Sequence, residues 1–258
     1  MKARLFLLSQ LVRRDLASRY RGSLLGGLWA FAVPLIMLAV YTFVFSVVFQ
    51  ARWGSDGSSQ TAFALNLFVG IILHGLLAES LSRAPAIMLQ HASYVKKMVF
   101  PLWLLPVSVV LSALVFALVN WLVLLVAFVF LDSVPPVTVL ALPLILLPLV
   151  LFALGGAWLL AALGVYVRDI VQVVPLLMTV LMFMAPIFYP ASAIPEAYRS
   201  WLLLNPLTYA VEHARGLLFE QRLPGLAGYL CYLGVAVAVA VAGLWFFRRV
   251  RKGFADVL

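Results

Sequence analysis

Long stretches without a charged side chain constrain this sequence more than any other feature. Six of them contain no Asp, Glu, Lys or Arg: Gly22–Ala51, Gly57–Ala78, Met98–Leu131, Ser133–Val167, Ile170–Pro195 and Leu223–Phe247. A helix rises about 1.5 Å per residue, so about 20 apolar residues cross a hydrocarbon core of about 30 Å. With 66% hydrophobic and 10% charged residues, the chain also has more apolar surface than one soluble core can hide. The sequence predicts an integral membrane protein.

These stretches are continuously apolar rather than alternating, which favours transmembrane helices over a closed barrel. We therefore expect one all-α domain, residues 1–258, with six transmembrane helices. Residues 1–21 repeat apolar side chains every three or four positions among arginines, which predicts an amphipathic helix at the membrane surface. Prolines are dense between spans five and six, so residues 191–222 are predicted to form short re-entrant or surface helices at the outer side.

The basic residues indicate how the chain is oriented. With the N-terminus inside, fourteen Lys and Arg residues lie on the cytoplasmic side and four on the other, as the positive-inside rule requires. Both termini are then cytoplasmic, and the number of spans is even. The net charge of +9 reflects this topology, because the basic residues flank the spans and form no single face for nucleic acid.

Chemistry that could power transport is sparse in the sequence. Within the predicted spans, the acidic residue is Glu79, with Arg83 four positions later, and this pair is either an interfacial ion pair or part of a proton relay. No lysine follows a glycine, so a phosphate-binding loop ending in Gly-Lys-Ser/Thr is excluded. The pattern indicates a transport pathway that depends on a partner for ATP hydrolysis.

Metal and redox chemistry also have weak support in the sequence. His74, His91 and His213 fall in different segments without ligand spacing, so each is interpreted as an isolated hydrogen-bonded residue. Cys231 is the single cysteine, which excludes an intramolecular disulfide, and it is interpreted as a small packing residue. We expect no metal and no cofactor in this chain.

A loop of about 19 residues, 83–101, follows the second span. Apolar side chains beside lysines give it the composition of an element that docks in a groove of another protein, or of a solvated loop whose lysines follow topology. The apolar positions expected to be exposed are Ile87, Met88, Val95 and Met98, beside Lys96 and Lys97.

Several motifs, in order along the chain, resemble one family. They are Arg14-Asp15-Leu16, Arg19-Tyr20-Arg21-Gly22-Ser23, Tyr94 to Pro101, Arg168-Asp169-Ile170, Pro186-Ile187-Phe188-Tyr189-Pro190, Asn205-Pro206-Leu207-Thr208-Tyr209 and Gly253-Phe254-Ala255-Asp256. Together they resemble the membrane-spanning subunit of bacterial ABC exporters of surface polysaccharides, which include O-antigen, capsule and teichoic-acid exporters.

The resemblance implies a homodimer with two copies of a separate cytoplasmic ATPase, which binds ATP and Mg²⁺. This assembly moves a lipid-linked polysaccharide, O-antigen first among the candidates, across the bacterial inner membrane. The chain itself is then a transport subunit and not an enzyme, and residues 191–222 form an outer gate. The residues implied in contact with the ATPase are Arg83, Ile87, Met88, Tyr94, Val95, Lys96, Lys97, Phe100, Arg168 and Asp169.

Sugar rings have apolar faces, so aromatic side chains at helical spacing suit a pathway for glycans. Tyr41, Phe45 and Phe49 form one stripe on the first span, and Phe183, Phe188 and Tyr189 lie near the outer end of the fifth. Each of these rings is a candidate for the substrate channel or a lipid-facing, core or interfacial aromatic. Alternative functions are an ABC permease for a drug or small lipid, and a scramblase that needs no ATP.

Overall fold

The computed structural model describes residues 2–48, 60–96, 100–131, 134–202 and 204–257, and these ranges contain helices, turns and loops without strands. The principal helices are α1 (Lys2–Arg19), α2 (Trp29–Tyr41), α3 (Gln60–Arg83), α4 (Leu104–Leu131), α5 (Leu142–Tyr166), α6 (Ile170–Phe183), α7 (Glu196–Leu202), α8 (Pro206–Phe219) and α9 (Leu226–Val250). A π-helical segment, Thr42–Val48, continues α2. Single helical turns include Ala84–Ala86, Ile87–Gln90, Ala92–Lys96, Val137–Ala141, Ala191–Ala193 and Phe254–Val257.

Five helical segments within the described ranges are long and apolar enough to cross a membrane. They are Gly26–Phe45, Thr61–Gln90, Leu104–Leu131, Val137–Tyr166 and Leu226–Gly253. The all-α fold is therefore confirmed. The remaining charge-free stretch forms α6, which is apolar but has only 14 residues, so the sixth span stays a prediction.

Prolines explain why α6 is short. The stretch Ile170–Pro195 leaves helical geometry after Phe183, just before Pro186 and Pro190. Proline lacks an N–H and disfavours helical geometry in the preceding residue, so two prolines four positions apart prevent the helix from continuing. The chain then turns and passes through α7 to α8.

The helix α3 forms the centre of the bundle. It packs against α2, α4, α5, α6 and α8, and Leu65, Leu67 and Leu73 are fully buried. A helix that is apolar on all sides is stable only when other helices surround it. Its first turns lie at one end of the molecule, beside α8, and its last residue, Arg83, lies at the other.

The most extensive helix pairing joins α5 to α9, and glycines make it close. A Cβ atom on Gly243 would lie 2.1 Å from the carbonyl oxygen of Gly155, and one on Gly155 would lie 2.4 Å from that of Val239. Neither position can hold a larger side chain without separating the backbones. This is the close approach through small residues that membrane helices commonly use.

The helix α1 packs along α4. Leu5, Leu8, Val12 and Leu16 line a groove between the two helices, facing Leu111, Leu114, Val115 and Leu118 of α4. Residues Lys2–Arg19 are helical, and their apolar side chains lie against α4 over part of their width. The amphipathic interfacial character of this helix and its position at the membrane surface stay predictions.

Candidate functional site

The two ends of the bundle each contain a cluster of interacting residues, which we name by their central arginines. At the Arg83 end, the last turn of α3 meets the C-terminal half of α1. Arg83 donates from Nη1 to the Asp15 carboxylate at 3.0 Å and to Glu79 at 3.2 Å, and its Nη2 also bonds Asp15. Arg19 pairs with Glu79 as well. The predicted ion pair between Glu79 and Arg83 is confirmed, whereas its two partners on α1, Asp15 and Arg19, were not predicted.

This charge cluster fastens α1 to the bundle. Burial alone would raise the pKa of the Asp15 carboxyl, but the hydrogen bond and charge of Arg83, the nearby Ser112 hydroxyl and the charge of Arg19 together hold that pKa below its ordinary value. The Arg19 guanidinium also lies 4.0 Å above the ring of Phe116 on α4. Two arginines and two carboxylates therefore join α1, α3 and α4 at one point.

The stretch after Arg83 turns back onto the bundle. The backbone of α5 touches it so closely that a Cβ atom on Gly164 would lie 2.1 Å from the carbonyl oxygen of Pro85. As a result Ile87 and Met88 are 4% and 0% exposed. Their predicted exposure as docking contacts is wrong, because this turn packs its apolar side chains against the chain's own helices. Gln90 and Ser93 are the exposed residues of the described part of this stretch.

The following residues form an aromatic cluster. The ring of Tyr94 stacks on His91 at 5.7 Å and on Phe100 at 4.7 Å between centroids. The C-terminal turn Phe254–Val257 contacts the helix Ala92–Lys96, and Phe254 is fully buried beside Tyr166 and Phe247. The side chains of Val95, Lys96, Lys97 and Met98 lie outside the described part of the structure, so their predicted contacts remain predictions.

Arg168 and Asp169 lie at the same end, in the turn between α5 and α6. Both are exposed, and the turn begins within one helical turn of Gly164, where α5 touches Pro85. The structure thus brings together Arg83, the 84–96 stretch, Arg168 and Asp169, and the C-terminal turn. These residues come from three separate places in the sequence.

At the other end, Arg215 of α8 is buried. It is 4% exposed and donates hydrogen bonds from Nε to the carbonyl oxygen of Asn66 at 3.0 Å and from Nη2 to that of Ile187 at 2.9 Å. Its Nη1 donates to the carbonyl oxygen of Pro186. Burial lowers the pKa of this guanidinium and Glu212 opposes the shift, but arginine is basic enough to remain charged at neutral pH.

Arg215 therefore fixes α8 against α3 and the proline-rich turn. In the sequence, Arg215 is one of four basic residues predicted on the outer side, and its contact with α3 and the proline-rich turn was not predicted. The signal that could have found it is the buried face of α8, on which Val211, Ala214 and Leu218 neighbour Arg215 at helical spacing.

Three further hydrogen bonds hold α8. Asn205 caps its N-terminus by accepting from the Leu207 N–H at 3.0 Å, and donates to the carbonyl oxygen of Leu181 at 2.9 Å. The Tyr232 hydroxyl donates to the carbonyl oxygen of Pro206 at 2.9 Å. Pro206 itself occupies the first helical position, where a missing N–H has no cost. Within the described residues, 191–222 contains the turn Ala191–Ala193, α7 and α8; the re-entrant course of this segment and its role as an outer gate stay predictions.

The two predicted groups of channel aromatics meet at this end. The ring of Phe188 lies 5.4 Å from Phe183 and 6.4 Å from Phe45, and Phe45 stacks on Phe63 of α3 at 5.5 Å. Tyr189 donates its hydroxyl to the carbonyl oxygen of Phe183 at 2.7 Å. Tyr41 is half-buried against the core, and Phe49 lies outside the described residues. A continuous row of rings thus links the end of the first span to the end of α6.

The three histidines are separate hydrogen-bonded residues, as predicted. His74, His91 and His213 each place one ring nitrogen 3.0 Å from a backbone carbonyl oxygen. Over the described ranges, no three His, Cys, Asp or Glu residues come together as metal ligands. Cys231 is exposed on α9, so its interpretation as a packing residue is wrong for this chain alone.

Five helical segments long and apolar enough to cross a membrane, with a cluster of ion pairs at one end of the bundle, are typical of a multi-span membrane protein. The family model described as "ABC-2 type transporter" matches residues 7–219, and the chain belongs to that family.

Similar proteins agree with the family. The chain is 31% identical over 252 residues to the O-antigen export system permease protein RfbA of Myxococcus xanthus, covering 97% of this chain and 94% of the relative. It is 28% identical over 255 residues to the RfbA protein of Klebsiella pneumoniae, covering 98% and 95%. It is 24% identical over 213 residues to the polysialic acid transport protein KpsM of Escherichia coli, covering 82% and 79%.

Proposed function

We propose that this chain is the membrane-spanning subunit of an ATP-driven exporter that moves a lipid-linked surface polysaccharide, O-antigen first among the candidates, across the bacterial inner membrane. The observation that carries the proposal is the end-to-end similarity to RfbA proteins, over at least 94% of both chains in two species. The family match and the five apolar helices support it.

The working assembly in this proposal is a homodimer with two copies of a cytoplasmic ATPase that binds ATP and Mg²⁺. The Arg83 end faces the cytoplasm, because it carries most of the basic residues, including Arg248, Arg249 and Lys252 at the end of α9. Both termini are then cytoplasmic. With α6 and the turn after it as a sixth span, α1 rests at the inner surface and α7 and α8 form the outer gate.

The coupling surface is the exposed part of the Arg83 end. Arg168 and Asp169 are exposed next to the turn that α5 anchors through Pro85, and the 84–96 stretch lies against the C-terminal turn. Ile87 and Met88 have a supporting role here, since they fix the stretch to the bundle instead of contacting the ATPase. The proposed coupling element also includes Arg83, Tyr94, Lys96, Lys97 and Phe100. A displacement of this element acts directly on α1, α3 and α5, which it contacts.

The row of rings formed by Phe45, Phe188 and Phe183 is the proposed wall of the glycan path. Aromatic faces hold successive sugar rings without requiring one register, which suits the passage of a polymer.

The test is transport by the purified complex of this chain with its ATPase in sealed proteoliposomes. Lipid-linked O-antigen should cross the bilayer only when ATP is hydrolysed, and it should raise the ATPase rate. An ATPase variant that binds but does not hydrolyse ATP is the control. Movement of the glycan without nucleotide would identify a scramblase, and stimulation by a drug or short lipid but not by the glycan would identify another cargo.

The coupling surface is tested with the same vesicles. Replacing Arg168 and Asp169 by alanine should lower glycan-stimulated ATP hydrolysis while the amount of assembled complex is unchanged. Replacing Glu220 and Arg222, an exposed ion pair at the other end, is the matched control and should leave coupling intact. Equal loss in both variants would contradict the assignment.

A further inference from the structure

A cavity of about 450 Å³ lies between α8, α9 and α5, away from the row of rings proposed above. This volume is in the range of small-molecule sites. Its walls combine aromatic rings, polar side chains and apolar side chains, and it is open on the side where Gly228, Cys231 and Val235 are exposed. Other lining residues are Phe152, Leu204, Thr208, Tyr209, Glu212, His213 and Tyr232.

One wall of the cavity is a stack of three rings. The ring of Tyr209 lies 3.9 Å from that of His213 and 4.5 Å from that of Tyr232, with interplanar angles of 20° and 26°. Two rings this close to Tyr209 must occupy its opposite faces, so Tyr209 is the middle ring. A ligand therefore meets the outer face of Tyr232 or His213 and the edge of Tyr209.

Two residues that line the cavity have hydroxyl groups without a partner among the described residues, and a turn of either side chain would present its hydroxyl to a ligand. Thr208 is 7% exposed, and the Thr208 Oγ1 and Tyr209 Oη atoms are shielded from solvent without a hydrogen bond in that part of the chain. Buried hydroxyls nearly always have a partner in a protein, ordered water or a ligand. Each can both donate and accept, so the pair matches the hydroxyl groups of a ligand.

The remaining polar groups also suit a neutral hydroxylated ligand. His213 Nδ1 lies 3.0 Å from the carbonyl oxygen of Tyr209 and donates to it, which leaves Nε2 as an acceptor in the neutral ring. Glu212 adds carboxylate acceptors, and its charge is partly balanced by Arg215 at 3.9 Å. Among the residues that the structure describes, no Lys or Arg lines the cavity, which disfavours an anionic ligand.

From this combination we infer that the cavity binds one pyranose ring, stacked on the rings of α8 and α9 and hydrogen-bonded to Thr208 and Tyr209. A quaternary ammonium would use the rings and Glu212 but would leave both hydroxyls unpaired, so the hydroxyls favour the sugar. The inference rests on the proposed function and extends it. The sugar ring comes either from the exported glycan or from a glycolipid headgroup, since both present the same chemistry.

The single cysteine provides the test, because Cys231 lines the cavity and is exposed. The complex of this chain with its ATPase, in nanodiscs, is labelled with N-ethylmaleimide, and modification of the Cys231 peptide is followed by mass spectrometry. Methyl glucoside and methyl mannoside are the free probes, and a glucosyl diacylglycerol in the nanodisc is the lipid probe. At about twice the Kd, two thirds of the sites are filled and labelling slows about threefold.

Variants separate binding from folding. Tyr209→Phe and Thr208→Val retain the ring stack and the side-chain volume, so the complex should assemble and labelling without sugar should be unchanged. Protection by the sugar should weaken in both. The matched control is Tyr229→Phe, a neighbouring tyrosine of α9 outside the cavity lining, which should protect as the unaltered chain does.

Three results would overturn the inference. The first is protection by sorbitol or tetramethylammonium equal to that by the pyranosides. The second is protection that is the same in Tyr209→Phe and Thr208→Val as in the unaltered chain. The third is a Cys231 that reacts in the separated subunit but not in the complex, which would mean that a protein surface covers the cavity. ATP-driven glycan export that persists in these cases would leave the proposed function standing.

Discussion

The two arginine clusters stabilise a guanidinium group within the bundle in different ways. Arg83 is neutralised by two carboxylates, Asp15 and Glu79, and all three side chains remain about a fifth to a third exposed. Arg215 is almost completely buried, and its hydrogen bonds go to backbone carbonyl oxygens of Asn66, Pro186 and Ile187. The first cluster is a set of ion pairs that water can weaken, and the second is a fixed joint between α8, α3 and the turn after α6. This difference suits a movable end at Arg83, the proposed coupling end, and a rigid end at Arg215.

Removal of Arg215 should have the largest effect on stability. Arg215→Met removes the guanidinium donor from three buried carbonyl oxygens, at a cost of about 1 to 3 kcal/mol each, so we expect a loss of about 3 to 9 kcal/mol. Thermal unfolding of the purified chain in detergent measures it. The control is Arg222→Met, whose side chain is 67% exposed and whose loss should be within about 0.5 kcal/mol. Equal melting temperatures for the two variants would show that Arg215 does not hold α8 to α3 and the turn after α6.

Removal of Arg83 should destabilise the fold less than removal of Arg215. Arg83→Met leaves Asp15 and Glu79 with Arg19 as their remaining basic neighbour, and we expect a loss of about 1 kcal/mol because the pairs are partly hydrated. Asp15→Asn should cost about as much, and the double variant should lose less than the sum of the single variants. If the two losses simply add, the ion pair between Arg83 and Asp15 does not contribute to the stability of the contact between α1 and the bundle.

The two clusters also differ in how far the sequence predicts them. Glu79 and Arg83 are four positions apart on one helix, so their pairing follows from helix geometry. Arg215 and Asn66 are 149 positions apart, and no local pattern links a side chain to a distant backbone carbonyl. The same limit applies to Ile87 and Met88: their composition resembles a docking surface, and only the contact of Pro85 with Gly164 reveals that they are buried.

Helix positions were predictable for a related reason. The absence of charge over about 20 residues is a local property, and each of the five candidate spans overlaps a different one of the six charge-free stretches. The stretch Ile170–Pro195 differs because its prolines end α6 after 14 residues. The pairing of α5 with α9 through Gly155 and Gly243 depends on the meeting of two distant backbones, which the spacing of small residues does not specify.

The cap of α8 gives a smaller test of the rigid end. Asn205→Ala loses both the capping acceptor for the Leu207 N–H and the donor to the Leu181 carbonyl oxygen, and we expect about 1 to 2 kcal/mol of destabilisation. Asn205→Asp retains the capping acceptor and removes the donor, so it should lose less than the alanine variant in the same unfolding measurement. An aspartate variant as unstable as the alanine variant would place the effect in the bond to Leu181 and not in the cap.

Acid should distinguish the two clusters without any loss of contacts at neutral pH. The Asp15 carboxyl has its pKa held below the ordinary 3.8 in the folded chain, so its ionised form stabilises the fold above about pH 4. This stabilisation is lost as the pH falls through the folded-state pKa, because the protonated carboxyl no longer attracts Arg83. The difference in melting temperature between the unaltered chain and Asp15→Asn should therefore shrink as the pH is lowered from about 6 to about 3. The difference between the unaltered chain and Arg215→Met should change less over the same range, since the three backbone carbonyl acceptors do not titrate and the carboxylate of Glu212 is a more distant partner at 3.9 Å. A parallel decline in both differences would mean that acid acts on the whole bundle, and the contrast between an ion-paired end and a carbonyl-bound end would not hold.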